Sequence, residues 1–168
     1  MSQPVAGGSP EAPRPAAATS GTGYSATEWD LIIGLPAQVI VIATQPGPGR
    51  PYPGMAAGLA GLDAMAAGRA FDSDLVRSVV AAIYARHDGT AEPQPRPGDL
   101  VDVLAACRAA VRVLDRRADP ADSAAYRQWV QSVAARVCRT GSAVLPDGTL
   151  APADRRLLDR LGGALALG

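Results

Sequence analysis

The chain has 168 residues, a formal net charge of +0 and 48% hydrophobic residues, of which few are aromatic. A neutral chain has no bulk field to draw it to nucleic acid or to an anionic membrane, so we expect neither partner. With 4% aromatic residues, the core must consist of Ala, Val and Leu, which favours packed helices over a sheet. We therefore predict an all-α fold: one domain, a bundle of five to six helices. All basic residues except the one histidine are Arg, and Lys and Asn are absent, as is typical of a bacterium with a high-GC genome.

Residues 1–24 are rich in Pro, Ala and Gly and carry almost no charge. This composition predicts a disordered tail ahead of a helical domain at 25–168. A secretory signal would need a basic start followed by an apolar stretch, and neither occurs here. We therefore expect the protein to be cytoplasmic.

The first helix is predicted by a capping box, Ser25-Ala26-Thr27-Glu28, in which the serine and glutamate side chains each bond a backbone N–H. The apolar segment Leu31–Thr44 follows, and it is shorter than the ~20 residues of a spanning helix. We expect a buried helix, with a membrane hairpin as the alternative. Gly34 and Pro36 predict a kink, because proline removes one helical hydrogen bond.

The proline-rich run 45–54 predicts a loop, and a second helix should follow from Met55 to about Arg69. Small residues recur in this helix at every fourth position, namely Ala56, Ala60, Ala64 and Gly68. Such a stripe lets a neighbouring helix approach closely.

Four more helices are predicted from their start signals. Asp72 or Ser73 caps the third, the fourth starts near Asp99, and Asp119-Pro120 begins the fifth, which Gly141 ends. The third should run to about Arg86, and the last should follow an Asp147-Gly148 turn. The predicted buried positions are Leu75, Val79, Ala82 and Ile83; Leu100, Val103, Leu104, Cys107, Val111 and Leu114; Tyr126, Trp129, Val130, Val133 and Val137; and Leu157, Leu158, Leu161 and Leu165.

Several kinds of chemistry lack their residues in this sequence. The one histidine, His87, is expected in a polar loop, where a lone base or ligand cannot make a triad or a metal site. No phosphate-binding glycine loop or dinucleotide fingerprint is present. Cys107 and Cys138 are interpreted as small buried hydrophobes in preference to a disulfide or redox pair. We therefore predict no catalytic residue and no enzymatic activity.

Arg108, Arg112 and Arg116 recur at every fourth position of the fourth helix, so they line one face. They form a candidate docking strip for an acidic partner. Asp99 and Asp102 in the first turn of the same helix complement its dipole, as do basic residues in its last turn, which favours a solvated face instead.

The stretch PDGTLAPADRRLLDRL, 146–161, contains two acidic residues seven positions apart, Asp147 and Asp154. Turn chemistry accounts for both, since Gly148 permits a turn and a carboxylate favours the first turn of a helix. The arrangement also resembles the C-terminal part of the tellurite-resistance TerB-like family, with a Val- and Ala-rich helix before Asp-Gly and leucines at Leu158 and Leu161. That resemblance covers about the last 45 residues, and it implies a divalent cation held by Asp147 and Asp154.

Two functions follow. The first is a non-catalytic helical module that binds another protein, with the N-terminal tail as a tether. The alternative is a TerB-like stress-response domain that binds a divalent metal or small ligand through acidic turns. An exposed apolar patch would favour the first and a cavity with converging carboxylates the second. The sequence allows a monomer or a homodimer, and it implies no cofactor beyond that metal.

Overall fold

The computed structural model describes residues 23–50, 52–88, 98–141 and 149–168. Those residues form an all-α, single-domain bundle of six α-helices with no β-strand, as predicted. The helices are α1 Ala26–Thr44, α2 Gly54–Ala66, α3 Asp74–His87, α4 Leu100–Arg117, α5 Pro120–Gly141 and α6 Pro152–Ala164, and α2 continues into a 3-10 turn at Ala67–Ala70.

The predicted caps start the helices. Ser25 Oγ accepts the Glu28 N–H at 3.2 Å, and the Glu28 carboxylate accepts the Ser25 N–H at 2.9 Å, which completes the capping box. Ser73 and Asp99 each accept the N–H three residues further on, at 3.3 Å and 2.9 Å. Asp119 accepts the N–H two residues on, at 2.8 Å. Each cap satisfies an amide that the first helical turn leaves without a partner.

Helix α1 packs against α2, α3, α4 and α5, and α5 packs against all five of the other helices. Most of the large apolar residues of α1 are buried, as predicted, whereas Leu31 is half-buried and Val41 is exposed. By length and composition α1 could also cross a membrane, and half of its apolar window is buried inside the bundle.

Pro36 lies inside α1, and the helix continues through it. Because proline has no N–H, the carbonyl of Ile32, four residues earlier, lacks its helical donor. The hydroxyl of Tyr126 on α5 donates to that Ile32 oxygen at 2.7 Å, and the Tyr126 side chain is fully buried. The tyrosine thus replaces the hydrogen bond that the proline removes.

The small-residue stripe of α2 lies partly where it was predicted. Of its four positions, Gly68 is buried, Ala60 and Ala64 are half-buried, and Ala56 is exposed. Ala57, Gly61 and Met65 are buried as well. The buried face is therefore shifted from the predicted one, because α2 carries small residues on several faces and the side chains of α1 and α5 determine which of them are buried.

Gly61 and Gly58 provide a matched test of this packing. A Cβ added at Gly61 would lie 2.7 Å from Val137 Cγ2 and 3.0 Å from Ile40 Cγ1, whereas one at Gly58 would lie 4.0 Å from Thr44 Cγ2. Both Gly→Ala changes gain helix propensity, but only Gly61→Ala overpacks the core. We expect the free energy of unfolding of Gly58→Ala to exceed that of Gly61→Ala by about 1–3 kcal/mol. Urea denaturation measures both values. Equal stabilities would contradict the close approach.

The predicted face of α5 is confirmed in full. On α4, Leu100 and Val111 are half-buried, and Ala110 and Val113 occupy buried positions in their place. Leu158 on α6 is also half-buried, while the other three predicted leucines of this helix are buried.

His87 is not a loop residue but the last residue of α3, where its Nδ1 lies 2.7 Å from the Ile83 oxygen. The prediction ended the helix one residue too early. At the other end of the chain, the predicted tail falls outside the described residues except for Gly23 and Tyr24. The Tyr24 ring packs at 5.6 Å from the Trp29 ring, centroid to centroid, so this residue belongs with the bundle.

Candidate functional site

Two features of the described residues bear on function: a buried ion pair between Arg50 and Asp154, and an exposed apolar row on α2. The loop after α1 positions Arg50. Gly47 and Arg50 exchange two backbone hydrogen bonds, at 2.9 Å and 2.8 Å, which close a turn. Gly49 within the turn has φ +74, a conformation that favours glycine.

The Arg50 guanidinium joins the end of α1 to the start of α6. Its Nε lies 2.5 Å from Asp154 Oδ1. Its terminal nitrogens donate to the carbonyl oxygens of Ile42, at 3.4 Å, and Ala43. These carbonyls belong to the last turn of α1, where a positive charge complements the helix dipole. Asp154 lies in the first turn of α6, where a negative charge does the same.

Asp154 is one of the two residues predicted to hold a divalent cation. It is only 6% exposed, and its carboxylate already receives the positive charge of Arg50. Asp147, the other predicted ligand, and Gly148 lie outside the described residues. Within the described ranges, no three His, Cys, Asp or Glu side chains come together as a metal-binding group. Metal binding through Asp147 and Asp154 therefore stays a prediction.

Cys138 on α5 lies beside this ion pair. Burial raises the pKa of its thiol to about 11, the negative charge of Asp154 raises it as well, and Arg50 opposes the shift. Burial likewise raises the pKa of Cys107 to about 11, against a lowering by Arg108. Both cysteines are free and buried, as predicted, and a thiol held in its neutral form is a poor nucleophile.

We expect both thiols to be inert in the folded protein. At pH 8 the native chain should react with a thiol reagent far more slowly than the chain in urea, which should show two reactive groups at once. Because the folded pKa values exceed that of a free thiol, the native rate should keep rising between pH 9 and pH 11. Rapid stoichiometric labelling of the native protein at pH 8 would contradict this account.

The candidate docking strip on α4 is partly engaged within the chain. Arg108 and Arg112 are exposed. Arg116 is exposed too, and it lies 3.4 Å from a carboxylate oxygen of Glu28, while Arg117 lies 3.4 Å from the other oxygen. All three members of the predicted strip therefore face solvent, and one of them also pairs with the start of α1.

The outward face of α2 carries an apolar row that the sequence prediction missed. Met55, Leu59 and Leu62 are 79%, 56% and 48% exposed, and together they are called the α2 seam. Tyr52, just before the helix, is also exposed. Six large hydrophobic residues are exposed within the described chain, and these are four of them. The spacing of 4 and 3 residues places these side chains on one face of the helix, and this was visible in the sequence. The prediction instead used the abundant alanines and glycines of α2, which indicate close helix packing.

A shallow groove also lies between α5 and residues 166–168, with Arg127, Gln131 and Arg139 among its lining residues. The Gln131 amide donates to the Leu158 carbonyl at 3.0 Å, which ties α5 to α6. No Asp or Glu lines this groove. It therefore does not offer the converging carboxylates expected of a divalent-cation pocket.

In comparisons with known proteins, no protein-family model, no curated protein and no solved structure matches the chain.

Proposed function

We propose that the protein is a non-catalytic helical module that binds another protein, and that the α2 seam is its binding surface. The exposure of Met55, Leu59 and Leu62 is the observation that carries this proposal. Contiguous apolar side chains on a soluble surface are typical of interaction sites. Their burial by a partner is favourable by about 25 cal/mol per Å².

The packing of α2 supports this role. The opposite face of the helix is buried against α5 and α1 through Ala57 and Gly61, so the bundle holds the helix without using the seam. Helix α2 contains one charged residue, Asp63. A surface with so little charge binds by shape and apolar burial, as the core of an interface does.

The strip on α4 is the competing surface. Arg108 and Arg112 could attract an acidic partner, but exposed charge pairs contribute little binding free energy. Arg116 is already near Glu28. We therefore assign the partner to the α2 seam and treat the α4 strip as a solvated face.

The alternative function is a TerB-like domain that binds a divalent cation through Asp147 and Asp154. A ligand that binds only the folded state adds about 2.7 kcal/mol at one hundred times its dissociation constant. Thermal melts with Ca²⁺, Mg²⁺, Zn²⁺ or EDTA test this alternative, with Asp147→Ala as the variant because it leaves both members of the Arg50–Asp154 ion pair in place. A metal-dependent rise that this variant loses would support the alternative over the proposal.

Site-specific photo-crosslinking tests the protein-binding proposal. A photoreactive amino acid replaces Leu59 in the α2 seam, Arg112 in the α4 strip or the exposed Asp159 on α6 in the full chain, expressed in its source cells. We expect a discrete protein adduct from position 59 and none from position 159. Adducts from position 112 alone would move the surface to α4, and no adduct from 59 or 112 would overturn the proposal.

A further inference from the structure

The α2 seam has the spacing of a two-helix interface. Met55, Leu59, Leu62 and Ala66 are separated by 4, 3 and 4 residues. This alternation is that of the a and d positions along the contact line of a coiled coil. Ala66 is half-buried, and the three seam residues are exposed. The spacing therefore fits another helix lying along α2, and less well an extended strand or an irregular loop.

We propose that the occupant of the α2 seam is α2 of a second copy of this chain, packed antiparallel across a two-fold axis. This inference rests on the proposed function and names its partner. In the pair, Leu59 of each copy packs against Leu62 of the other, and Met55 of each copy lies against Ala66. The seam is complementary to itself, as a two-fold interface requires.

Charge favours the antiparallel arrangement. Among the described residues, the first turn of α2 has no side-chain cap and no acidic residue, so a nearby carboxylate would complement the helix dipole there. In the antiparallel register Asp63 of one copy lies beside Gly58 of the other, about one turn from those amides. A parallel pair would keep each Asp63 two turns from them. The chain carries a net charge of +0, so two copies do not repel each other.

Side-chain size also permits the close approach. Ala56 and Gly58 flank the seam, and small flanking residues let two helix backbones come near each other. Helix α2 has 13 residues and is therefore about 20 Å long. Two helices of about two heptads bury a surface area below the roughly 1,200 Å² of standard interfaces. The dimer should therefore be weak, and the dimer population should depend on protein concentration.

Sedimentation equilibrium of the full chain tests this inference at about 5 to 500 µM, the range in which a small interface dissociates. The matched variants are Leu59→Glu in the seam and Val101→Glu on α4, where Val101 is 65% exposed. We expect the mean mass of the wild type to rise with concentration from 17.1 kDa toward twice that value. Val101→Glu should behave in the same way, and Leu59→Glu should stay monomeric with an unchanged helical circular dichroism spectrum.

A wild-type mass that stays at the monomer value at every concentration would overturn the dimer. So would a dimer that Leu59→Glu leaves intact. If the chain is monomeric while a photoreactive group at position 59 captures a different protein, the occupant is that protein and the proposed function stands. If that group crosslinks only to residues 1–22 of its own chain, the occupant is the tail, and both the dimer and the proposed function fail.

Discussion

Asp154→Ala is expected to lower the free energy of unfolding by about 3–5 kcal/mol, because removing one member of a buried ion pair leaves the other charge buried without its counter-ion. Arg50 is the charge left behind. The exposed side-chain fractions are 13% for Arg50 and 9% for Asp154, so water cannot replace the carboxylate fully. Urea denaturation followed by circular dichroism measures the loss.

The matched control for this change is Asp159→Ala, which removes an exposed carboxylate from the same helix and should alter stability by less than about 0.5 kcal/mol. The double variant Arg50→Met/Asp154→Leu should lose less free energy of unfolding than Asp154→Ala does, since it leaves no unpaired charge. Equal losses in the single and double variants would show that the ion pair is not the cause. A loss seen in the presence of a divalent metal but absent with EDTA would assign Asp154 to a cation site.

Tyr126→Phe is expected to cost about 1–3 kcal/mol, although it removes only one oxygen atom. The change leaves the Ile32 carbonyl buried with no donor, because Pro36 has no N–H to offer. Replacing Pro36 with alanine supplies that N–H. In a Pro36→Ala background, Tyr126→Phe should therefore cost measurably less.

A double-mutant cycle across Pro36 and Tyr126 isolates this coupling, with chemical denaturation as the measurement. The expected coupling free energy is at least about 0.5 kcal/mol. If Tyr126→Phe costs the same in both backgrounds, the hydroxyl does not compensate for the proline. The exposed Tyr52, changed to phenylalanine, is the control and should have no effect on unfolding.

The helix starts were predictable because their signals are local. The side chains of Ser25, Ser73 and Asp99 each accept the backbone N–H three residues further along the chain. A capping residue just before an apolar run is visible in the sequence alone. The face of α5 was equally clear, since its large apolar residues occupy one side only. The two ends of α3 show the limit: its cap was predicted only as Asp72 or Ser73, and its last residue, His87, was assigned to a loop.

The register of α2 and the role of Arg50 were not predictable for a different reason. In α2, small residues occur on more than one face, and the side chains that choose between them, such as Ile40 and Val137, lie on other helices. Arg50 sits in a proline- and glycine-rich loop, 104 residues from Asp154. No local pattern connects the two, and only the folded arrangement of α1 and α6 brings them together.

The long separation between Arg50 and Asp154 has a consequence for folding during synthesis. At about 5–20 residues per second, Arg50 is made roughly 5 to 20 s before the carboxylate that it binds. Until α6 has been made, the guanidinium at the end of α1 can bond the α1 carbonyls but has no Asp154 to pair with. Leu157 and Leu161 are equally absent from the core. The nascent chain can thus assemble α1 to α5 first, and the arrival of α6 adds the ion pair and the last buried leucines in one late step.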